Sequence, residues 1–194
     1  HGTQEPIVVR LYQEFLDGKT TDYIKRIFER EGVKNWDGGT KWQSTTLMSM
    51  LENEKYNGDV ILQKSYTVDF LTKKRAMNQG EIQKFYIEDD HEALIEPWIW
   101  ECVQLEIQRR KKYLEEHGTN SYSHNTESNP FASKIVCGLC NKVCSRKGWQ
   151  SRSGVTRKVW QCSEQYKVKG VFGCGNHHVE ESTLEKAFVM AWNV

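Results

Sequence analysis

Cys137 and Cys140 stand two residues apart in IVCGLCNKVC, and Cys162 in KVWQCSEQY and Cys174 in VFGCGNHH follow at a distance. Two thiolates at the first spacing can turn onto one metal through a tight knuckle, and a distant second pair closes a tetrahedral shell. The pattern therefore describes a structural zinc ribbon. A catalytic zinc needs three ligands, an open position and a general base nearby, and nothing in the chain specifically asks for that arrangement. Gly138 inside the knuckle, with Gly173 and Gly175 flanking Cys174, is expected where the chain turns sharply enough to aim its sulfurs. The second pair is eleven residues apart instead of two. That leaves the fourth ligand open, with His177, His178 or Cys144 competing with Cys174. Disulfides are the rival chemistry. No secretory leader is recognisable, and Cys102 looks unpaired in a helical stretch, so a reducing, cytoplasmic setting and a metal are expected.

Those cysteines must be carried by something, and the chain around them divides by composition. Its 194 residues suffice for one good core or two small ones. The hydrophobic share of 38% is modest, but seven Trp, eight Tyr and seven Phe supply large burial units. No apolar run reaches the roughly 18 residues of a membrane span. His1 and Gly2 read as a cloning remnant, which would make the chain a fragment. The segment HGTNSYSHNTESNP, residues 117–130, is too polar to bury much surface and reads as a linker. It separates a first domain, 1–116, from a zinc module, 131–194. Net charge is only +1, yet residues 1–116 carry 17 cations against 21 anions and residues 130–194 carry 10 against 4. A basic module beside a weakly acidic one is the asymmetry expected when one end of a chain meets phosphate.

Helical periodicity in the first domain covers Val8, Leu11, Tyr12, Phe15 and Leu16, then Tyr23, Ile24, Ile27 and Phe28 after a Thr20/Thr21 cap. Two helices joined through Asp17-Gly18 make a helix-turn-helix candidate. The loop GVKNWDGGTK leads to Trp42 and a third helix in QSTTLMSMLENEKY, with Ser44 as cap and Leu47, Met48 and Leu51 inward. Its polar start, Gln43, Ser44, Thr45 and Thr46, suits base edges or phosphates, although it also reads as plain capping sequence. DVILQKSYTVDF is strand-like and IQKFYI returns beside it. Between them LTKKRAMNQGE forms a basic turn whose Lys73, Lys74 and Arg75 either clamp phosphates or are simply solvated. Pro97 opens a long helix whose buried side is expected to hold Trp98, Cys102, Leu105 and Ile107. His91 in EDDHEALI reads as structural. No phosphate loop, His-Glu-x-x-His pair or nucleophile elbow is present, so no catalytic residue is assigned.

Taken in order, WQSTTLMSMLENEKYNGDVILQKSYTVDF, NQGEIQKFYIEDDHEALIEPWIWECVQLEIQRRK and FASKIVCGLCNKVCSRKGW with VWQCSEQY closely resemble the C-terminal part of large serine recombinases, the phage integrases and transposon resolvases. The resemblance runs from about Val8 to Asn193, and its Leu-x-Asn-Glu-x-Tyr-x-Gly-Asp element is fairly specific. It implies an α+β chain: a helical recombinase domain with a small β-hairpin or sheet and a long C-terminal helix, linked to a zinc-ribbon domain that ends in a helix. Cys137, Cys140, Cys162 and Cys174 match the family's metal ligands, and Cys144 stands where the pattern has an aromatic or aliphatic residue.

The implied partner is an attachment-site DNA duplex, bound for integration or excision by strand exchange, with no membrane involved. The implied assembly is a dimer on DNA and a tetramer in synapsis, in a bacterial or phage-encoded setting. Expected phosphate contacts are Lys41, Lys64, Lys73, Lys74 and Arg75 in the first domain and Arg146, Lys147, Arg152, Arg157 and Lys158 in the second. The family's catalytic serine belongs to an N-terminal domain with no match here, so this piece is not expected to cut DNA. A zinc-ribbon protein-interaction module, a metalloenzyme and a transcription regulator are the competing functions.

Overall fold

The computed structural model describes residues 5–119, 122, 129–151 and 154–193. They form two compact units, divided after Ile107.

In the first unit α1 (Glu5–Leu16), α2 (Thr21–Arg30) and α3 (Ser44–Leu51) enclose one core. The apolar spacing of α1 buries Val8, Leu11, Tyr12 and Phe15 against Ile24, Ile27 and Phe28 of α2 and Leu47 and Leu51 of α3. Thr20 caps α2 by accepting from the Tyr23 N–H at 3.3 Å. The short glycine turn joins α1 to α2, whereas α3 follows only after the long segment 31–43. The two helices expected to make a helix-turn-helix are therefore not the pair that ends in the polar helix. That long segment is fixed from within. The Trp42 indole donates to Val33 O at 2.9 Å and its backbone N–H to Glu29 Oε1 at 3.1 Å. The Asn35 carboxamide accepts from the Asp37 and Gly39 N–H groups at 3.0 Å each.

The cap of α3 is Gln43, without a side-chain bond, and not Ser44, which lies inside the first turn. At the other end the helix is closed by its neighbours. The Tyr12 hydroxyl donates to Met50 O and Leu51 O at 3.1 and 3.0 Å, and Gln104 Nε2 to Leu51 O at 2.8 Å. Carbonyls left over at a helix terminus need such donors when they are buried.

The Leu-x-Asn-Glu-x-Tyr-x-Gly-Asp element is architectural. Leu51 is buried in the core, Asn53 caps a 3₁₀ turn over Glu54–Asn57, and Tyr56 meets Tyr12 edge-on at 6.4 Å. The buried Glu54 accepts from the Ile61 N–H at 3.2 Å and pairs with Lys64. Gly58 adopts φ 92°, and a Cβ there would lie 2.7 Å from His91 O. Asp59 accepts from Asn57 Nδ2, the Asp89 N–H and the Tyr86 hydroxyl, the last of which holds its carboxyl below the usual range. His91 Nε2 contacts Lys55 O at 2.6 Å, tying its loop to the 3₁₀ turn.

The extended region is nested. β1 (Val60–Leu62) pairs antiparallel with β4 (Phe85–Ile87), and between them β2 (Ser65–Asp69) and β3 (Lys74–Met77) form their own hairpin. Gln63, at φ 59°, breaks what reads as one strand into β1 and β2. Lys74 and Arg75, read as part of a turn, lie in β3; the turn itself is Phe70–Lys73. Asn78 joins the two ribbons, its amide donating to Gln63 O and Ile82 O at 2.9 and 2.6 Å.

α4 (Pro97–His117) starts in the first unit and ends in the second. Its inward face is Ile99, Trp100, Val103 and Ile107. Trp98, Cys102 and Leu105 are exposed, which corrects the expected face and makes Cys102 a surface thiol. The expected stripe mixed two sides of the helix, because a residue and its fourth neighbour share a face that this core does not meet.

The second unit is built on β5 (Cys144–Gln150), β6 (Thr156–Cys162) and β7 (Val179–Glu180), an antiparallel sheet followed by α5 (Glu181–Trp192). Arg146 and the Trp160 indole both bond the Glu181 carboxylate and so fix the start of α5.

Candidate metal centre and nucleic-acid interface

A small hairpin carries the first knuckle. Val136 bridges Val143, the Cys137 N–H bonds Lys142 O at 2.8 Å, and the Asn141 N–H returns to Cys137 O at 2.9 Å. The left-handed residue in this turn is Asn141, at φ 58°. Gly138 is not required there, since a Cβ would meet nothing within 4 Å, and the same holds for Gly175. Gly173 differs: its Cβ would lie 2.1 Å from Glu164 O. The turn after Cys162 passes directly over Gly173, which bonds Gln165 O at 3.0 Å, while the Cys174 N–H reaches Glu164 O at 3.4 Å. These contacts draw Cys174 back to Cys162 across the eleven intervening residues.

The four sulfurs of Cys137, Cys140, Cys162 and Cys174 lie within 4.8 Å of one another. Two separations are 3.7 Å (Cys137 to Cys174) and 3.4 Å (Cys140 to Cys162), far beyond a disulfide bond. A tetrahedral zinc with bonds of about 2.3 Å needs sulfurs about 3.8 Å apart, so the set fits that ion with small adjustment. Asn176 Nδ2 lies 3.1 Å from Cys137 Sγ. Burial works to raise the Cys137 thiol, but the N–H groups of Cys140 and Leu139 and the Asn176 amide more than offset it, bringing it down to about 6.

The competing ligands are placed elsewhere. Cys144 pairs with Cys162 across the sheet outside the sulfur cluster, and burial, with the nearby cysteine charges, raises its thiol to about 11. The His178 ring packs on Trp149 at 4.2 Å. His177 is absent from the ligand cluster found among the described residues.

Strand alternation sorts the basic residues of the ribbon. Arg146 and Lys158 project to the side of Trp160 and Glu181, while Lys147, Trp149 and Arg157 share the opposite face with Val159. On that second face Lys147, Trp149 and Arg157 are exposed, and Arg157 reaches Glu180 at 3.5 Å. In the first unit α3 leaves Gln43 and Thr45 exposed and Ser44 and Thr46 half-buried, with Lys41 exposed just before them.

Residues 3–110 match the family described as Recombinase, and residues 130–193 match the Recombinase zinc beta ribbon domain. The chain belongs to the recombinase family. Two solved structures share the fold, each with a TM-score of 0.56 over the whole of this chain. One is described as the crystal structure of an LSR–DNA complex, at 16% identity over 53% of that chain. The other concerns the sequence requirements of the Listeria innocua prophage attP site, at 18% identity over 71%. The chain thus spans about half the length of the first. Comparison with curated proteins gives no match. No helix among the described residues is long and apolar enough to cross a membrane.

Within this recombinase architecture the expected phosphate contacts fall into two groups. Lys64 is paired with the buried Glu54, and Arg146 with the largely buried Glu181, so both hold the fold together. Lys41, Lys73, Lys74, Lys147 and Lys158 form no ion pair among the described residues, and Arg75 donates to Ser65 Oγ at 2.8 Å. Arg152 lies outside the described residues. The sequence does not single out Trp149 or Asn176, and it offers His178 as a ligand and not as the ring partner of Trp149. A β-strand aromatic two residues from an exposed lysine was the available signal for Trp149; nothing marked Asn176.

Proposed function

We propose that this chain is the DNA-binding part of a site-specific serine recombinase and grips attachment-site duplex with both units. The observation that carries the reading is the outward ridge of α3. Its inner side is locked by Leu47, Leu51 and the Tyr12 hydroxyl, while Gln43 and Thr45 follow Lys41 into solvent and Ser44 and Thr46 are half-buried beside them. A short helix held rigidly at its base, with uncharged donors and acceptors outward, suits base edges in a groove. Lys41, Lys73, Lys74 and Arg75, with Lys147, Arg157 and Lys158 on the ribbon, supply the phosphate grip. The neighbouring structures, one described as an LSR–DNA complex and one concerned with the sequence requirements of a prophage attP site, support the same partner.

Cys137, Cys140, Cys162 and Cys174 hold a structural zinc. The bound ion would neutralise the thiolates and join the two turns, so that β5 and β6 present Lys147, Trp149 and Arg157 on a fixed face. Within the intact recombinase the attacking serine, the cleavage chemistry and the synaptic tetramer lie outside these residues; the chain supplies address and grip. The division of labour follows residues 1–116 and 131–194, with 117–130 as the connection.

Fluorescence anisotropy of the zinc-loaded chain on element-end and random duplex, at several salt concentrations, tests this. About five phosphate contacts give a log–log salt slope near −4 to −5. The reading expects tighter binding to the element ends, weakening along that slope. Absence of binding to either duplex would overturn it.

A further inference from the structure

Among the described residues the β2–β3 hairpin pairs with no third strand, and it ends in two apolar side chains that none of them covers. Phe70 is 90% and Leu71 91% exposed. Such exposure of two adjacent large residues at a tip is costly in water and calls for an occupant. The turn that displays them is preformed. Asp69 accepts from the Leu71 N–H at 2.9 Å and from the Thr72 hydroxyl at 2.6 Å, and Lys73 closes the turn at φ 53°. Immediately behind the tip stand Lys73, Lys74 and Arg75, all exposed, and the only acid of the hairpin is Asp69, already bonded within the turn.

The occupant must therefore accept an apolar tip between flanking anions. A protein surface could take Phe70 and Leu71, but three consecutive cations beside them match a phosphate backbone better than a mixed protein surface. A duplex offers phosphate rails on both sides of a groove, and between them base steps that apolar side chains can enter. We propose that Phe70 and Leu71 form a wedge that enters a base step while Lys73, Lys74 and Arg75 hold the adjacent phosphates, so that the recombinase domain deforms its site. This rests on the DNA-binding reading above and adds to it a term independent of salt: the wedge gains by leaving water, the cations by counterion release. It also places part of site choice in deformability, favouring flexible pyrimidine–purine steps under the tip.

The test uses the zinc-loaded chain with short duplexes of element-end sequence, labelled at both ends for energy transfer. The wild type is expected to bring the ends closer, as a kink of roughly 20–90° would. The double variant F70S/L71S should bind on the order of tenfold more weakly, lose the bend and keep the salt slope. K73A/K74A should do the converse, reducing the slope by about two while retaining the bend at saturation. Because the replaced side chains touch solvent, far-UV circular dichroism should match the wild type, and L71M, which keeps an apolar tip, should retain the bend.

An F70S/L71S variant that binds and bends like the wild type overturns the wedge and leaves DNA binding standing. So does a wild type that binds without bending, or an F70S/L71S variant that loses only self-association or binding to another protein. A wild type that binds no duplex overturns both readings.

Discussion

Replacing Gly173 by alanine should release the metal while leaving the metal ligands themselves intact. The added Cβ would stand 2.1 Å from Glu164 O, and real Cβ atoms essentially never approach within 3.0 Å, so the two turns must part by about 0.9 Å. The bonds from Gly173 N to Gln165 O and from Cys174 N to Glu164 O, at 3.0 and 3.4 Å, are the ones stretched by that movement. Two backbone hydrogen bonds contribute about 2 kcal/mol together, which is roughly thirtyfold in zinc affinity. The displacement also exceeds the tolerance of about 0.2 Å on zinc–sulfur bonds, so thirtyfold is a lower figure. Competition with a chromophoric chelator measures the affinity. The internal controls are Gly138→Ala and Gly175→Ala, whose Cβ atoms would meet nothing within 4 Å, and these should bind zinc as the wild type does. If Gly173→Ala held zinc as tightly as the wild type, or if Gly138→Ala lost it equally, the account of how Cys174 is brought to the cluster would be wrong.

Chelation should unfold the ribbon and leave the helical unit, with its own core, intact; structural zinc supplies roughly 10–16 kcal/mol of apparent binding energy to a module of this size, and amide exchange read separately over 5–107 and 129–193 shows which half opens. Lys147→Ala and Lys158→Ala should each lower the salt slope of duplex binding by about one, whereas Lys64→Ala should lower thermal stability with little change in slope, because its partner is the buried Glu54. Arg146 holds the Glu181 carboxyl below its ordinary value of 4.5, so the stability this pair contributes is complete above that pH and lost as pH falls through the depressed value; Arg146→Met should abolish that part of the acid dependence in thermal melts of the zinc-loaded chain, and an unchanged acid limb would contradict it.

The cysteine spacing made the metal cluster legible, and the periodicity of Val8 to Phe15 and of Ile24 to Phe28 made two helices legible, because both signals are local. What failed was long-range. Cys102 reads as a core thiol because its helix is apolar on several sides; only the assembled core decides that Val103 and Ile107 face inward. Gly138 and Gly173 look alike beside their cysteines, yet only the return of the chain over Gly173 distinguishes them. Gln63 disguised the nested ribbons, since a left-handed non-glycine residue leaves no mark in an otherwise β-branched run.

Charge shows the same limit in a way that bears on function. Counted along the chain, residues 130–194 carry ten cations against four anions, and the surplus alone would make every arginine a phosphate contact. The fold assigns the anions first. Glu181 takes Arg146, Glu180 reaches Arg157, and Glu164 takes Lys167. The Arg146 pair is the most enclosed, with 24% and 14% of the two side chains exposed, and it fixes the start of α5; breaking it to reach DNA would strand Glu181 beside Trp160. Glu180 and Arg157 are 49% and 68% exposed, so that pair contributes little and can exchange its carboxylate for a phosphate. On the DNA-binding reading proposed above, the expected contacts of the ribbon left for a duplex among the described residues are Lys147, Lys158 and an exchangeable Arg157, and the acids that look like dilution in the composition select which of the expected cations remain available.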